Sequence, residues 1–182
     1  TLNKGTNADN YVITQKYGTL TVTNRSEKEK FEITVKANSV NAPYDGKEHE
    51  AAGFETTEFT ENEQKYTVSG LTTESPKKTN AGTYTNNISG TAVVKDKDGN
   101  DVTAQFTVKT ENGNLVINKR AVTMTSKSAS KTYDGTALTK HEVTETGEGF
   151  VDGEGATYSY TGSQTLVGSS DNAFKYTLNK GT

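Results

Sequence analysis

The sequence predicts an all-β protein assembled from small repeated units, and three observations carry that prediction. Only 30% of the 182 residues are hydrophobic and the mean hydropathy is −0.79. Globular domains run at roughly 45–50% apolar with Gly counted, so one thick core is not expected and several thin β layers are. Nine Tyr and six Phe recur beside Val and Ile at strand-like spacing, whereas disordered chains are poor in both classes. Finally, the chain repeats itself at more than one scale.

At the larger scale, Thr1-Leu2-Asn3-Lys4-Gly5-Thr6 returns as Thr177-Leu178-Asn179-Lys180-Gly181-Thr182, 176 positions later. This predicts one full period of a longer array and the start of the next. Within the period, Gly18-Thr19-Leu20-Thr21-Val22-Thr23-Asn24-Arg25 matches Gly113-Asn114-Leu115-Val116-Ile117-Asn118-Lys119-Arg120 at an offset of 95, and Tyr11 falls on Phe106. An offset of 89 places Tyr44-Asp45-Gly46 on Tyr133-Asp134-Gly135, and Ile33 and Val35 on Val122 and Met124. Two offsets mean two related units of unequal length. Residues 26–120 are expected to form a complete unit. Residues 121–182 are the N-terminal part of a following unit. Residues 1–25 are the C-terminal hairpin of a preceding one, of the kind that would complete 121–182.

Each element then follows from its residues. A hairpin is expected over 11–15 and 20–23 around Tyr17-Gly18. Ser26-Glu27-Lys28-Glu29-Lys30 reads as a charged linker of one helical turn. Residues 31–37 alternate, with Phe31, Ile33 and Val35 on one face. Tyr44-Asp45-Gly46 is a turn, because Asp accepts from backbone amides and Gly supplies a positive φ. Strands are expected at 83–88 and 91–95. Asp98-Gly99-Asn100 turns the chain into 102–109, and Asn112-Gly113 turns it tightly into 115–118. The abundant Thr suits exposed strand faces, and Pro43 and Pro76 sit beside turns. No stretch carries a helical stripe.

Several function classes are disfavoured. The net charge is −3 with acids and bases interspersed, so the clustered cations that supply nucleic-acid affinity are missing. No apolar run approaches the roughly 18 residues of a membrane span. With no Cys, neither a disulfide framework nor a thiolate metal site can form, a composition compatible with Gram-positive surface proteins.

Sites for chemistry are equally sparse, and no enzyme is expected. His49 and His141 are not equivalent positions, and no motif sets either in a triad or a metal-binding pair. Asp96, Asp98 and Asp101, in the run Asp96-Lys97-Asp98-Gly99-Asn100-Asp101, are weak calcium candidates because they place oxygens at alternate positions. The run lacks a downstream bidentate acid, and a turn explains it, so no cofactor is expected. The Gly-rich stretch 147–155 is acidic and lacks a Lys-Ser/Thr ending, which makes it a loop and not a phosphate cradle. Tyr44 and Tyr133 offer an apolar ring with a polar tip for a ligand, yet their recurrence with Asp45, Gly46, Asp134 and Gly135 favours architecture, as does the recurrence of Gly18 and Gly113. A Lys–Asn isopeptide bond has no recognisable Lys, Asn and acid trio.

The segments Ala42-Pro43-Tyr44-Asp45-Gly46-Lys47 and Lys131-Thr132-Tyr133-Asp134-Gly135-Thr136 resemble the signature of YDG/MBG-type repeats, which occur in tandem in large bacterial surface proteins and adhesins. Asn80-Ala81-Gly82-Thr83-Tyr84, Ala8-Asp9-Asn10-Tyr11 and the closing Gly-x-Leu-x-Val or Gly-x-Leu-x-Ile strand agree with it. Asp171-Asn172-Ala173-Phe174 departs from it. The resemblance implies small β-sandwich domains, immunoglobulin-like or alternatively β-grasp-like, in an elongated extracellular array anchored to a cell wall. It also implies that no catalytic site is shared. The expected function is a structural repeat of a fibre or stalk projecting an adhesive region. The alternative is that the repeats themselves bind host glycans or mucin weakly and gain avidity from copy number. The expected partners are neighbouring repeats or identical chains arranged head to tail, because both severed ends would expose strand edges and the intact unit between them, about 40 Å long, holds them apart.

Overall fold

The computed structural model describes Gly5 and residues 7–179, so most of the first terminal hexapeptide and half of the last lie outside the described residues. Among the described residues there are fourteen β-strands, two single turns of 3-10 helix and no α-helix. The chain is all-β, and no helix is long and apolar enough to cross a membrane.

The first unit contains, in order, β1 (Phe31–Lys36), β2 (Val40–Pro43), β3 (His49–Glu50), β4 (Glu58–Glu61), β5 (Gln64–Thr73), β6 (Lys77–Lys78), β7 (Gly82–Asn86), β8 (Ile88–Asp96), β9 (Phe106–Glu111) and β10 (Gly113–Asn118). Two parallel ladders define it. β1 pairs with β9, Phe31 opposite Phe106 and Ile33 opposite Val108. β2 pairs with β10, Val40 opposite Leu115 and Ala42 opposite Ile117. β7 lies antiparallel on the other edge of β10, and β4, β5 and β8 form a separate antiparallel sheet. These parallel ladders differ from the wholly antiparallel pairing of an immunoglobulin constant-type sandwich.

Alternation places every second residue of the ladders inside. Ile33, Val35, Val68, Val94 and Phe106 are buried together, with the Tyr66 ring edge-on to Phe106 at 4.8 Å. A smaller cluster of Ala51, Leu115 and Ile117 is ringed by Val40, Tyr44, Ala81 and Tyr84. The one buried polar side chain among the described residues, Asn86, is satisfied on both sides. Its amide donates to the Asn38 carbonyl at 3.1 Å, and its oxygen accepts from Ser75 N–H at 2.9 Å.

Two expectations need correction here. β9 and β10 do not pair with each other across a tight turn at Asn112-Gly113. They follow one another in the same direction, the first against β1 and the second against β2. The step is held by Asn112, whose oxygen accepts from Ile88 N–H at 2.9 Å. Gly113 lies so close to the backbone that a Cβ there would come within 2.2 Å of the Asn38 carbonyl oxygen. The second correction follows from the first. Residues 11–23, expected as a hairpin, form no strand, because their counterparts in β9 and β10 pair with β1, β2 and β7 and never with each other. Smaller adjustments are that 26–29 closes as a single turn, with Glu29 N–H donating to the Ser26 carbonyl at 2.9 Å. The strand expected from 102 begins as a 3-10 turn, Thr103–Gln105, before β9.

The second stretch contains β11 (Val122–Ser126), β12 (Val143–Gly147), β13 (Ala156–Tyr160) and β14 (Phe174–Leu178), arranged as two antiparallel pairs. Its geometry follows that of the first unit at the 89-residue offset. The bridge between Ala37 and Phe54 corresponds to the pair Ser126 and Val143. The bond from Asn38 N–H to the Gly53 carbonyl at 2.9 Å corresponds to that from Lys127 N–H to the Glu142 carbonyl at 3.0 Å. His49 pairs with Lys78, and Leu138, 89 positions after His49, pairs with Gln164, so the partner strand is offset by three residues from strict correspondence. At the 95-residue offset, the 3-10 turn Ala8–Asn10 corresponds to Thr103–Gln105. Yet no described residue from 121 onward is buried. Polar links join its strands instead: Tyr158 donates to Glu145, and the Asn172 amide donates to the carbonyls of Lys127 and Lys140, each at 2.8 Å.

Candidate interaction site

The same turn is built at both Tyr-Asp-Gly motifs. Asp45 Oδ1 accepts from Lys47 N–H at 2.9 Å, and Asp134 Oδ1 accepts from Thr136 N–H at 2.9 Å. Gly46 and Gly135 sit at φ of 76° and 77°, a left-handed conformation that side chains disfavour. The Lys47 amide and then the His49 ring hold the Asp45 carboxyl below its ordinary value. Asp134 is driven much further down, first by the Lys131 ammonium at 2.8 Å and then by the Thr136 N–H and hydroxyl.

The two tyrosines differ in what covers them. Tyr44 is half-buried, and its hydroxyl donates to Glu154 of the following stretch, which raises the phenol above its ordinary pKa. Tyr133 is 61% exposed. Glu154 belongs to the Gly-rich loop 147–155, expected only as a loop, and this loop forms the junction between the units. Arg120 Nε donates to the Gly149 carbonyl at 3.0 Å, and Ala121 N–H donates to Glu148 Oε2 at 3.0 Å. Val151 packs over Gly46, with Cγ2 3.3 Å from where a Cβ would stand. Nothing in the local sequence marks the loop as a junction; only its position relative to Tyr44 does so, and that requires the fold.

Arg25, the counterpart of Arg120, marks the other end of the first unit. Its guanidinium lies 4.1 Å from the centre of the Phe31 ring, and its N–H donates to Gln105 Oε1 at 2.9 Å. The Gln105 amide in turn donates to Asn24 at 2.7 Å. Residues 24–25 are thereby fixed where β1 and β9 begin, and the apolar side chains of 11–23 stand in solvent.

A cavity of about 510 Å³ lies in the second stretch and is lined by Ala129, Tyr133, Leu138, Lys140, Gln164 and Leu166, among others. Ala129, Tyr133 and Lys140 stand 89 positions after Val40, Tyr44 and Ala51. In the first unit those three surround or join Leu115 and Ile117.

The calcium candidates do not converge. Asp96 accepts from the Asp98 and Asn100 amides, each at 2.9 Å, Asp98 pairs with Lys97, and Asp101 accepts from Thr103 N–H at 2.9 Å. Among the described residues no group of three or more His, Asp or Glu is placed to hold a metal. His49 sits 2.9 Å from Asp45, while His141 stacks on Tyr160 in the other stretch.

In comparisons with known proteins, no family model, no curated protein and no solved structure matches this chain.

Proposed function

We propose that this chain is a structural repeat of an extracellular, cell-wall-anchored bacterial fibre or stalk of the YDG/MBG type. Its small sandwich-like units follow one another in an elongated array and hold an adhesive region away from the cell. The observation that carries this reading is the series connection. The chain comes into the first unit where Phe31 and Phe106 pair and leaves it at Asn118. A second Tyr-Asp-Gly turn with the same backbone geometry then begins beyond an Arg120 clamp. Units joined this way contact only their neighbours, so an array lengthens without redesign. Small-angle scattering on chains carrying one, two and three periods tests the reading. A maximum dimension that rises linearly with period number is expected, and a constant one would sink it.

A second reading has one observation in its favour. The exposed Tyr133 ring beside the cavity offers a flat apolar face of the kind sugars stack on. Solid-phase binding to mucin separates the two: sub-millimolar binding by one period, abolished in Tyr133→Ala, supports weak adhesion by the repeats themselves.

A further inference from the structure

We propose that the first unit opens in two parts. Its small-core half comes apart while its large-core half stays folded, and contact with the following stretch holds the small half closed. This goes beyond the stalk reading and concerns the first unit whether or not units form a stalk. Each strand of the unit belongs to one half. β1, β4, β5, β8 and β9 lie about Ile33, Val35, Val68, Val94 and Phe106. β2, β3, β7 and β10 lie about Ala51, Leu115 and Ile117, with β6 paired to β3. No ladder joins a strand of one half to a strand of the other.

The chain crosses between the halves at 37–39, 52–53, 74–76, Asn87 and Asn112, and polar groups meet at that level. Asn38 N–H donates to the Gly53 carbonyl at 2.9 Å, and Gly53 N–H donates to Thr73 Oγ1 at 3.2 Å. The Thr73 and Ser75 hydroxyls share a bond of 2.9 Å. Ser75 N–H donates to Asn86, whose amide returns to the Asn38 carbonyl and closes the ring. Beside the ring, the Asn112 amide donates to Asn87, and the Asn87 amide donates to Glu74, each at 2.9 Å. An apolar core running through this level would expose its surface on splitting. These groups exchange one another for water at small net cost, so the unit divides here. The large half buries more apolar side chains, and stabilisation scales with the apolar area removed from water. The small half therefore opens first.

The small half is also the one that the following stretch touches. Tyr44 packs on the small core, and its carbonyl accepts from Arg120 Nη1 at 3.5 Å, while Arg120 Nε holds the Gly149 carbonyl. Val151 packs over Gly46. Phe150 and Val151 share the lining of a cavity of about 310 Å³ with Tyr44 and Ala81. None of these residues belongs to the large core.

Native-state hydrogen exchange on the full chain tests this, read at the amides of β5 and β10, the strand of each half that is paired on both edges. In the parent, β10 should exchange faster than β5 and depend less steeply on urea, because opening one half exposes less surface. Val94→Ala removes methyl groups from the large core and so raises the closed and half-open forms alike. It should speed β5 at least about tenfold and leave β10 within about twofold. Ile33→Val, a milder deletion in the same core, should repeat that split at about threefold. Leu115→Ala removes contacts that only the closed form makes, so it should speed both strands equally. Val151→Asp alters the following stretch alone and should speed β10 at least about threefold through the lost contact. Equal exchange of β5 and β10, or Val94→Ala and Ile33→Val speeding both strands alike, overturns the proposal, because the unit is then one cooperative body. β10 unmoved by Val151→Asp overturns the part given to the following stretch. None of these outcomes touches the linear growth in length expected of a covalent array, so the stalk reading and this one fail separately.

Discussion

The two stretches at 26–120 and 121–179 share turns, register and spacing but not a core. Ile33 and Val35 are buried, and Val122 and Met124, 89 positions on, are half-exposed. The difference lies in two strands. β9 and β10 cover β1 and β2 in the first unit, and the described residues of the second stretch include no strand in their place. A sheet one strand short on each layer cannot exclude water from both sides of its apolar residues, whatever their identity. Burial here belongs to strand pairing across long sequence separation and not to the hydrophobic pattern of any one strand.

Matched substitutions sharpen that contrast. The largest difference is expected for Leu115→Ala against Leu20→Ala. The first should cost about 2–5 kcal/mol in urea unfolding, as for other buried leucines. The second should stay within about 0.5 kcal/mol in the dilute chain, as at open surface sites. Equal losses would break the comparison. Next, Gly113→Ala should destabilise by about 1–3 kcal/mol through its clash with the Asn38 carbonyl, while Gly18→Ala leaves the dilute chain's unfolding curve in place.

The acid limb comes third. Both turn carboxyls are depressed in the folded chain relative to their ordinary 3.8, so each contributes stability that is present above that pH and lost as pH falls through the folded value. In an NMR titration the Thr136 amide should respond at lower pH than the Lys47 amide, because Lys131 adds a cation to Asp134. Lys131→Met should bring Thr136 up toward Lys47, and no movement would remove the ion pair from the account. The smallest effect is expected for Tyr44→Phe. It should leave the unfolding midpoint of the first unit nearly unchanged and broaden the distribution of inter-unit orientations seen by residual dipolar couplings, since the hydroxyl's partner, Glu154, lies across the junction.

What could be read from residues alone follows the range of the interactions. The Asp-Gly turns are local: Asp134 bonds an amide two residues on, and Gly135 needs only its own φ. The pattern Tyr-Asp-Gly therefore announces them. The alternation of Phe31, Ile33 and Val35 likewise marks β1 and its buried face. Strand partnership is not local. Asn112-Gly113 looks like a reversal because such pairs usually make hairpins, and only the parallel neighbours β1 and β2, more than 70 residues away, turn it into a forward step. For the same reason 11–23 looked like a self-sufficient hairpin. The role of loop 147–155 depends on Tyr44 across the junction, and Glu154 carries no mark of it. The carboxylates at 96, 98 and 101 lie close in sequence, but each spends its oxygens on turn amides instead of converging.

The parallel ladders also set how the first unit answers a pull. Tension applied at residue 26 and residue 120 draws β1 and β10 in opposite directions along their own axes, through ladders whose hydrogen bonds lie side by side. Those bonds are loaded together in shear and cannot open one at a time like a zipper. A chain tethered at one end and hauled at the other by flowing liquid would therefore meet its greatest resistance to rupture along the direction in which the polypeptide itself runs.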